Sequence, residues 1–245
     1  MSEEMEFRYP RRKFIRAVIH RLTRAIFNLI SHYEVIGTDN FPESGPLIVV
    51  GNHFCFLDPV SLVSVSPWPV EFVGGFRTPN APKAVSWLRE SWGYYPVFRG
   101  TGSTLAFRAT DAVLKQNGIM AVFPEGSSAA GILRPPRPGA AFMAARSKSD
   151  ILPIGFSGLV DVFPQLFKGK RAHVTIRIGK PFESWNIVGR GRERRQQLDE
   201  FGHHIMRQIA QLLPLESRGY YSDDPAIRKA AEAVSQYQWD DKPEG

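Results

Sequence analysis

A chain of 245 residues that is 43% hydrophobic can bury one large core or two small ones, which excludes disorder of the whole chain. Its 31 Lys and Arg against 24 Asp and Glu leave a net charge of +7, which points to an anionic partner: a membrane surface, nucleic acid or a phosphorylated substrate. The single cysteine, Cys55, excludes an intramolecular disulfide and a Cys cluster for structural zinc, and it suits a reducing compartment.

No window reaches the roughly 18 to 20 apolar residues needed to span a bilayer. The N-terminal "MSEEMEFRYPRRKF" lacks the uninterrupted apolar region of a signal peptide. Residues 11–33 predict an amphipathic helix. Ile15, Val18, Leu22, Ala25, Ile26, Leu29, Ile30 and Tyr33 recur at helical spacing, with Lys13, Arg16, His20, Arg21 and Arg24 largely on another face. Such a helix suits a membrane interface, its cations meeting anionic headgroups. It also suits a surface helix packed on the domain with a solvated basic face.

The turn-rich "GTDNFPESGP" (37–46) then leads into "LIVVG" (47–51), a short buried strand. Asp58-Pro59 predicts a helix start, 70–75 a strand, 81–91 a helix and 94–99 a strand. Residues 103–118 carry a Ser N-cap, a helical apolar face and a terminal Gly. A strand follows from 119, a helix over 139–148, strands over 150–158 and 172–179, a long polar helix within 190–213 and a helix around 225–237. Strands alternating with helices predict an α/β fold: a mixed, largely parallel sheet flanked by helices, with an N-terminal amphipathic membrane-interface helix. The division expected is 1–34 for the basic helix, 35–215 for the main domain and 216–245 for a tail that is in part helical.

In α/β folds the loops beyond strand ends carry the chemistry. His53 and Asp58 share one such loop, "NHFCFLDP". A histidine titrates near neutral pH and can take a proton from a hydroxyl, while a nearby carboxylate holds the ring in one tautomer and stabilises the imidazolium. The structural alternative is an Asp N-cap before a Pro at the first helical position, beside an ordinary histidine.

Beyond that loop, "GYYPVFRG" places Arg99 near a strand end, "VFPEGSSAAG" places Glu125, Gly126 and Ser127 after another, and "LRPPRPGAA" places Arg134 and Arg137 before a helix. In this order and spacing, "NHFCFLDP", "GYYPVFR", "VFPEGS", "RPGAA" and "ILPIGF" resemble the successive motifs of the glycerolipid acyltransferase family that includes 1-acylglycerol-3-phosphate acyltransferases. The resemblance covers roughly residues 35–180.

It implies an enzyme of phospholipid biosynthesis that moves a fatty acyl group from an acyl-CoA or acyl-carrier-protein thioester to a lysophospholipid hydroxyl. The thioester is a co-substrate, and neither a cofactor nor a metal is implied. The resemblance makes His53 the general base and Asp58 its orienting carboxylate. It makes Arg99 a contact to the acceptor phosphate and assigns Glu125 and Gly126 to acceptor binding. Charge-assisted donors suit a phosphate. Glu125 cannot meet that phosphate as a bare anion, so a hydroxyl or an arginine is its expected partner.

The implied partners are an anionic membrane surface, the lysophospholipid and the thioester, at the cytoplasmic face of a membrane. One departure stands out. The third motif commonly reads Phe-Pro-Glu-Gly-Thr-Arg-Ser, and here the expected arginine is Ser128. Arg134, Arg137, Arg77 or Lys83 could substitute, or the acceptor differs from a simple lysophosphatidic acid. A catalytically inactive lipid-binding relative is a further alternative.

Other chemistries have weaker support. "GFSG" lacks the spacing of a serine nucleophile elbow. Cys55 lies two residues from His53 in the same loop, a poor geometry for a thiolate and its base. No metal-ligand spacing, Walker loop or dinucleotide fingerprint occurs. The arginines of "GRGRERR" (189–195) have no interleaved aromatics to stack on bases, so nucleic acid is not an expected partner.

Overall fold

Among the described residues, seven strands form one sheet in the order β1-β7-β6-β2-β5-β3-β4. They are β1 (Ser31–Ile36), β2 (Leu47–Gly51), β3 (Val70–Gly75), β4 (Tyr95–Val97), β5 (Ile119–Val122), β6 (Asp150–Ser157) and β7 (Ala172–Ile178). The computed structural model describes residues 7–75, 90–97, 104–128 and 130–234. The helix expected over 81–91 falls mostly outside those residues, as do Arg77, Lys83 and Arg99.

The described helices are α1 (Lys13–Ile30), α2 (Leu57–Val65), α3 (Thr104–Lys115), α4 (Pro138–Ser147), α5 (Val162–Leu166), α6 (Gly191–Gln211) and α7 (Pro225–Ala233). Strands β6, β2, β5, β3 and β4 are mutually parallel, whereas β7 runs antiparallel to β6 and parallel to β1. The sheet is therefore mixed and largely parallel, as the alternating pattern predicts.

All five residues of β2 are buried, because this central strand is covered on both faces. On one face Ile48, Val50, Met120 and Val122 pack with α3, α4 and α6 through Ala109, Val113, Ala141, Phe201 and Ile205. On the other, Leu47, Val49, Leu152 and Ile154 pack with Ile19 and Phe27 of α1 and with Leu62 of α2.

Three local expectations are corrected. The first helix stops at Ile30, and Tyr33 lies instead on β1, a strand the hydrophobic spacing did not reveal. The Ser31 hydroxyl donates to the Phe27 carbonyl, and the chain turns directly into an edge strand paired along its length with β7. Tyr33 stacks on Phe27 and exchanges hydrogen bonds with the Ser61 and Ser64 hydroxyls of α2.

Secondly, a member of the basic stripe of α1 is buried in the face that packs on the domain. Arg16, Ile19, Thr23 and Phe27 are buried, while Phe14, Ile15, Val18, Leu22, Ile26 and Leu29 are exposed. Arg16, grouped with the basic stripe, is only 2% exposed. Its guanidinium donates to both oxygens of Glu71 on β3 (2.5 and 2.8 Å) and to the Trp92 carbonyl. Arg11 joins the same carboxylate, and Arg12 reaches the carbonyls of Glu90 and Ser91.

Thirdly, the left-handed residue closing α3 is Asn117 rather than a glycine, and the Gly118 N–H returns to the Val113 carbonyl.

Because Glu71 is fully buried and serves two arginines, Glu71→Ala leaves the enclosed Arg16 guanidinium without its counter-charge. Chemical denaturation should register a loss of about 3–5 kcal/mol, much of it recovered when Arg16 is replaced by methionine as well.

Candidate active site

Strand β2 ends at Gly51, and a side chain continues its ladder. Asn52 donates from Nδ2 to the Phe156 carbonyl (2.9 Å) and accepts the Phe156 N–H at Oδ1 (2.8 Å). Gly51 is required beside it, since a Cβ there would meet the Phe156 ring at 2.5 Å. The chain thus leaves the sheet at a defined point, and the next residue is His53.

The His53 ring is fixed from two sides. Nδ1 lies 3.1 Å from Asp58 Oδ2, and the ring stacks on Phe123 at a centroid distance of 4.5 Å. With the proton on Nδ1, the ring donates to the carboxylate and presents Nε2 as a basic lone pair. The side chain is 19% exposed.

Asp58 is almost wholly buried, and its Oδ2 also accepts the N–H groups of Phe54 (2.6 Å) and Cys55 (2.8 Å). It is not the helix N-cap. Helix α2 begins at Leu57, and Asp58 folds back from its first turn to close the loop that carries His53. Burial and the Asp58 charge push the Cys55 thiol well above the ordinary thiol range, which keeps it protonated and removes it as a nucleophile.

Glu125 follows β5 and lies wholly within the protein. Oε1 accepts the His53 N–H at 2.8 Å, and Oε2 lies 3.6 Å from Arg134 Nε. An arginine thus lies beside it, one of the two partners expected. Burial pushes this carboxyl up to about 8, against the opposing effects of the His53 N–H and the Arg134 guanidinium.

Arg134 is itself buried, and its Nη2 donates to the Ser127 carbonyl (2.5 Å) and hydroxyl (2.8 Å). Gly126 turns outward with φ +73, and Arg137 is exposed next to it, its N–H bonded to the Pro124 carbonyl. The sheet therefore brings together His53, Asp58, Glu125, Gly126, Ser127, Arg134 and Arg137. Of the two arginines before α4, only Arg137 stands at the surface.

Asn52 and Phe123 also fix the His53 loop and ring, roles that the sequence reading did not assign. The signals were an amide directly after a buried strand and an aromatic directly before Pro124-Glu125. Among the described residues no three histidines, cysteines or carboxylates converge as a metal site would require.

A family model described as Acyltransferase matches residues 32–157. The 1-acyl-sn-glycerol-3-phosphate acyltransferase alpha of Ovis aries is 29% identical over 140 residues, covering 53% of this chain and 46% of its own length. A chloroplastic 1-acyl-sn-glycerol-3-phosphate acyltransferase of Brassica napus is 27% identical over 180 residues, covering 69% and 49%. The chain spans about half the length of these relatives. The crystal structure of the 1-acyl-sn-glycerophosphate acyltransferase PlsC from Thermotoga maritima superposes with a TM-score of 0.56. It is 21% identical, with 83% of this chain and 85% of that one covered, and it shares the fold.

Glu125 makes stability depend on pH. Between its ordinary value of 4.5 and about 8, the folded chain keeps a proton that the unfolded chain has released. Its contribution to stability therefore declines as pH rises through that window. Urea denaturation at a series of pH values should show this decline flattened in Glu125→Gln.

Proposed function

Because the chain belongs to the acyltransferase family, we propose that it transfers a fatty acyl group from an acyl-CoA or acyl-carrier-protein thioester to a lysophospholipid hydroxyl. The acceptor in this reading is 1-acylglycerol-3-phosphate, the substrate class named for its relatives. The observation that carries it is the His53 ring tied through Nδ1 to a buried Asp58, which leaves Nε2 for the acceptor.

As the acceptor oxygen attacks the thioester carbonyl, its proton passes to Nε2, and Asp58 stabilises the imidazolium. The new C–O bond forms, the C–S bond breaks, and the imidazolium returns its proton to the departing thiolate. A thioester is already activated, so no acyl-enzyme is needed, and the protonated Cys55 offers none. Asn52 and Glu125 act as positioning residues. One clamps the end of β2 to β6, and the other holds the His53 backbone against the loop after β5.

For the acceptor phosphate the proposed contacts are Arg99, which the motif order assigns, together with Arg137 and the outward turn at Gly126 and Ser127. Arg134 supports that turn from within, since its guanidinium is committed to Ser127 and Glu125. Ser128, where the motif this stretch resembles commonly has arginine, favours a second reading in which another lysolipid headgroup is the acceptor.

The exposed stripe of Ile15, Val18, Leu22, Ile26 and Leu29 supports membrane contact through α1, which contains no acidic residue and exposes Lys13, Arg21 and Arg24. Among the described residues no helix is long and apolar enough to cross a membrane.

In an assay of thiol release from acyl-CoA across a panel of lysolipid acceptors, His53→Ala should lower the rate by about a hundredfold to ten thousandfold. An undiminished rate would overturn the mechanism. Arg99→Ala should raise the acceptor KM far more than the thioester KM, and equal effects on both would remove Arg99 from the phosphate site.

A further inference from the structure

The connection from β6 to β7 has an inward and an outward face. Leu159, Val162 and Leu166 are turned into the core, whereas Val160, Phe163 and Phe167 are exposed one residue out of phase. Phe167 is 87% exposed, yet it sits on a well-bonded turn. Its N–H reaches the Phe163 carbonyl, Lys168 and Lys170 donate to the Gln165 carbonyl, and Gly169 donates to that of Leu166. Lys168, Lys170 and Arg171 follow at the surface, with Asp161 the one acidic residue of the segment.

Strand directions place this segment. The C-terminal ends of β2, β5 and β6 share one edge of the sheet, where His53 and Glu125 emerge. Because β7 runs opposite to β6 and parallel to β1, the residues joining β6 to β7 and the C-terminal end of α1 lie on that same edge. Two contacts bind them together. Arg171 donates to the carbonyls of Asn28 and Ser31 at the end of α1, and Phe163 stacks on Phe56, two residues before Asp58.

We infer that residues 159–171 form a second membrane-contact element beside the mouth of the site. Val160, Phe163 and Phe167 enter the interface, and Lys168 and Lys170 meet anionic headgroups. A rigidly held apolar tip rimmed by cations matches the chemistry of a bilayer surface. It is tied to the end of α1 through Arg171, and the inference rests on the membrane contact of that helix. Two contacts flanking the loop of His53 would turn the site opening toward the lipid that supplies the acceptor.

The test uses the full chain and vesicles of phosphatidylcholine with phosphatidylglycerol, with and without bromine in the acyl chains. In Phe167→Trp the new indole should be quenched by brominated lipid, read as the increment over the unaltered chain. Phe167→Ser should weaken vesicle binding about tenfold, the scale of one phenylalanine withdrawn from an apolar environment. Lys168→Glu with Lys170→Glu should weaken binding only when phosphatidylglycerol is present.

A chain that binds vesicles while the new indole stays unquenched overturns the second contact and leaves that of α1 standing, provided Leu22→Asp with Ile26→Asp lowers binding. An unaltered chain that does not sediment with vesicles overturns both. If the indole is unquenched but Phe167→Ser slows transfer from an acyl-carrier-protein donor, the surface receives the donor protein and the inference is wrong. None of the vesicle readouts depends on acyl transfer, so failure of that activity is a separate result.

Discussion

A single oxygen, Oδ2 of Asp58, receives the Nδ1–H of His53 and the backbone N–H groups of Phe54 and Cys55. These three donors come from consecutive residues, so the carboxylate closes the loop and aims the ring in one act. Charge-assisted hydrogen bonds of this kind are stronger than neutral ones, and burial removes the water that would compete for the same oxygen. The site is therefore built around a carboxylate whose loss would release both the loop and the His53 ring.

The same economy recurs outward from that oxygen. Asn52 fixes where β2 ends, Phe123 supports the ring face, and Glu125 secures the His53 backbone. Glu125 in turn sits by Arg134, which braces the Ser127 turn. Residues from three strand ends thus form one connected polar network around the His53 loop. Such networks are rigid only when their members are satisfied, which explains why so many of these groups are buried rather than presented to a substrate. The outer side is left to Gly126, Arg137 and the apolar and basic elements along that edge.

A second buried carboxylate does comparable work at distance. Glu71 binds the amphipathic helix to the sheet through Arg16 and Arg11, so α1 presents a fixed face to its surroundings. The hydrophobic residues left outside are those a soluble helix would have turned inward. The helix is held both by that charge and by Ile19 and Phe27 in the core, and its aliphatic stripe stays outside.

Local patterns in the chain were sufficient for the alternating strands and helices, the buried run of β2, and the ordered appearance of His53, Asp58 and Glu125 at strand ends. Those features depend on periodicity and on neighbours in sequence, which a single chain displays. The direction in which each side chain points was decided by tertiary packing. Arg16 reads as a surface cation until Glu71, 55 residues away, is brought against it. The stripe of α1 suits either a membrane interface or the domain core until α2 is seen to take the other side, and Arg134 reads as a phosphate ligand until the core encloses it. β1 went unrecognised because an edge strand draws its stability from pairing with β7, about 140 residues later, rather than from its own alternation. What the sequence determined was which chemical groups are present and roughly where the chain places them; which are buried and which face the substrate required contacts between residues distant in sequence.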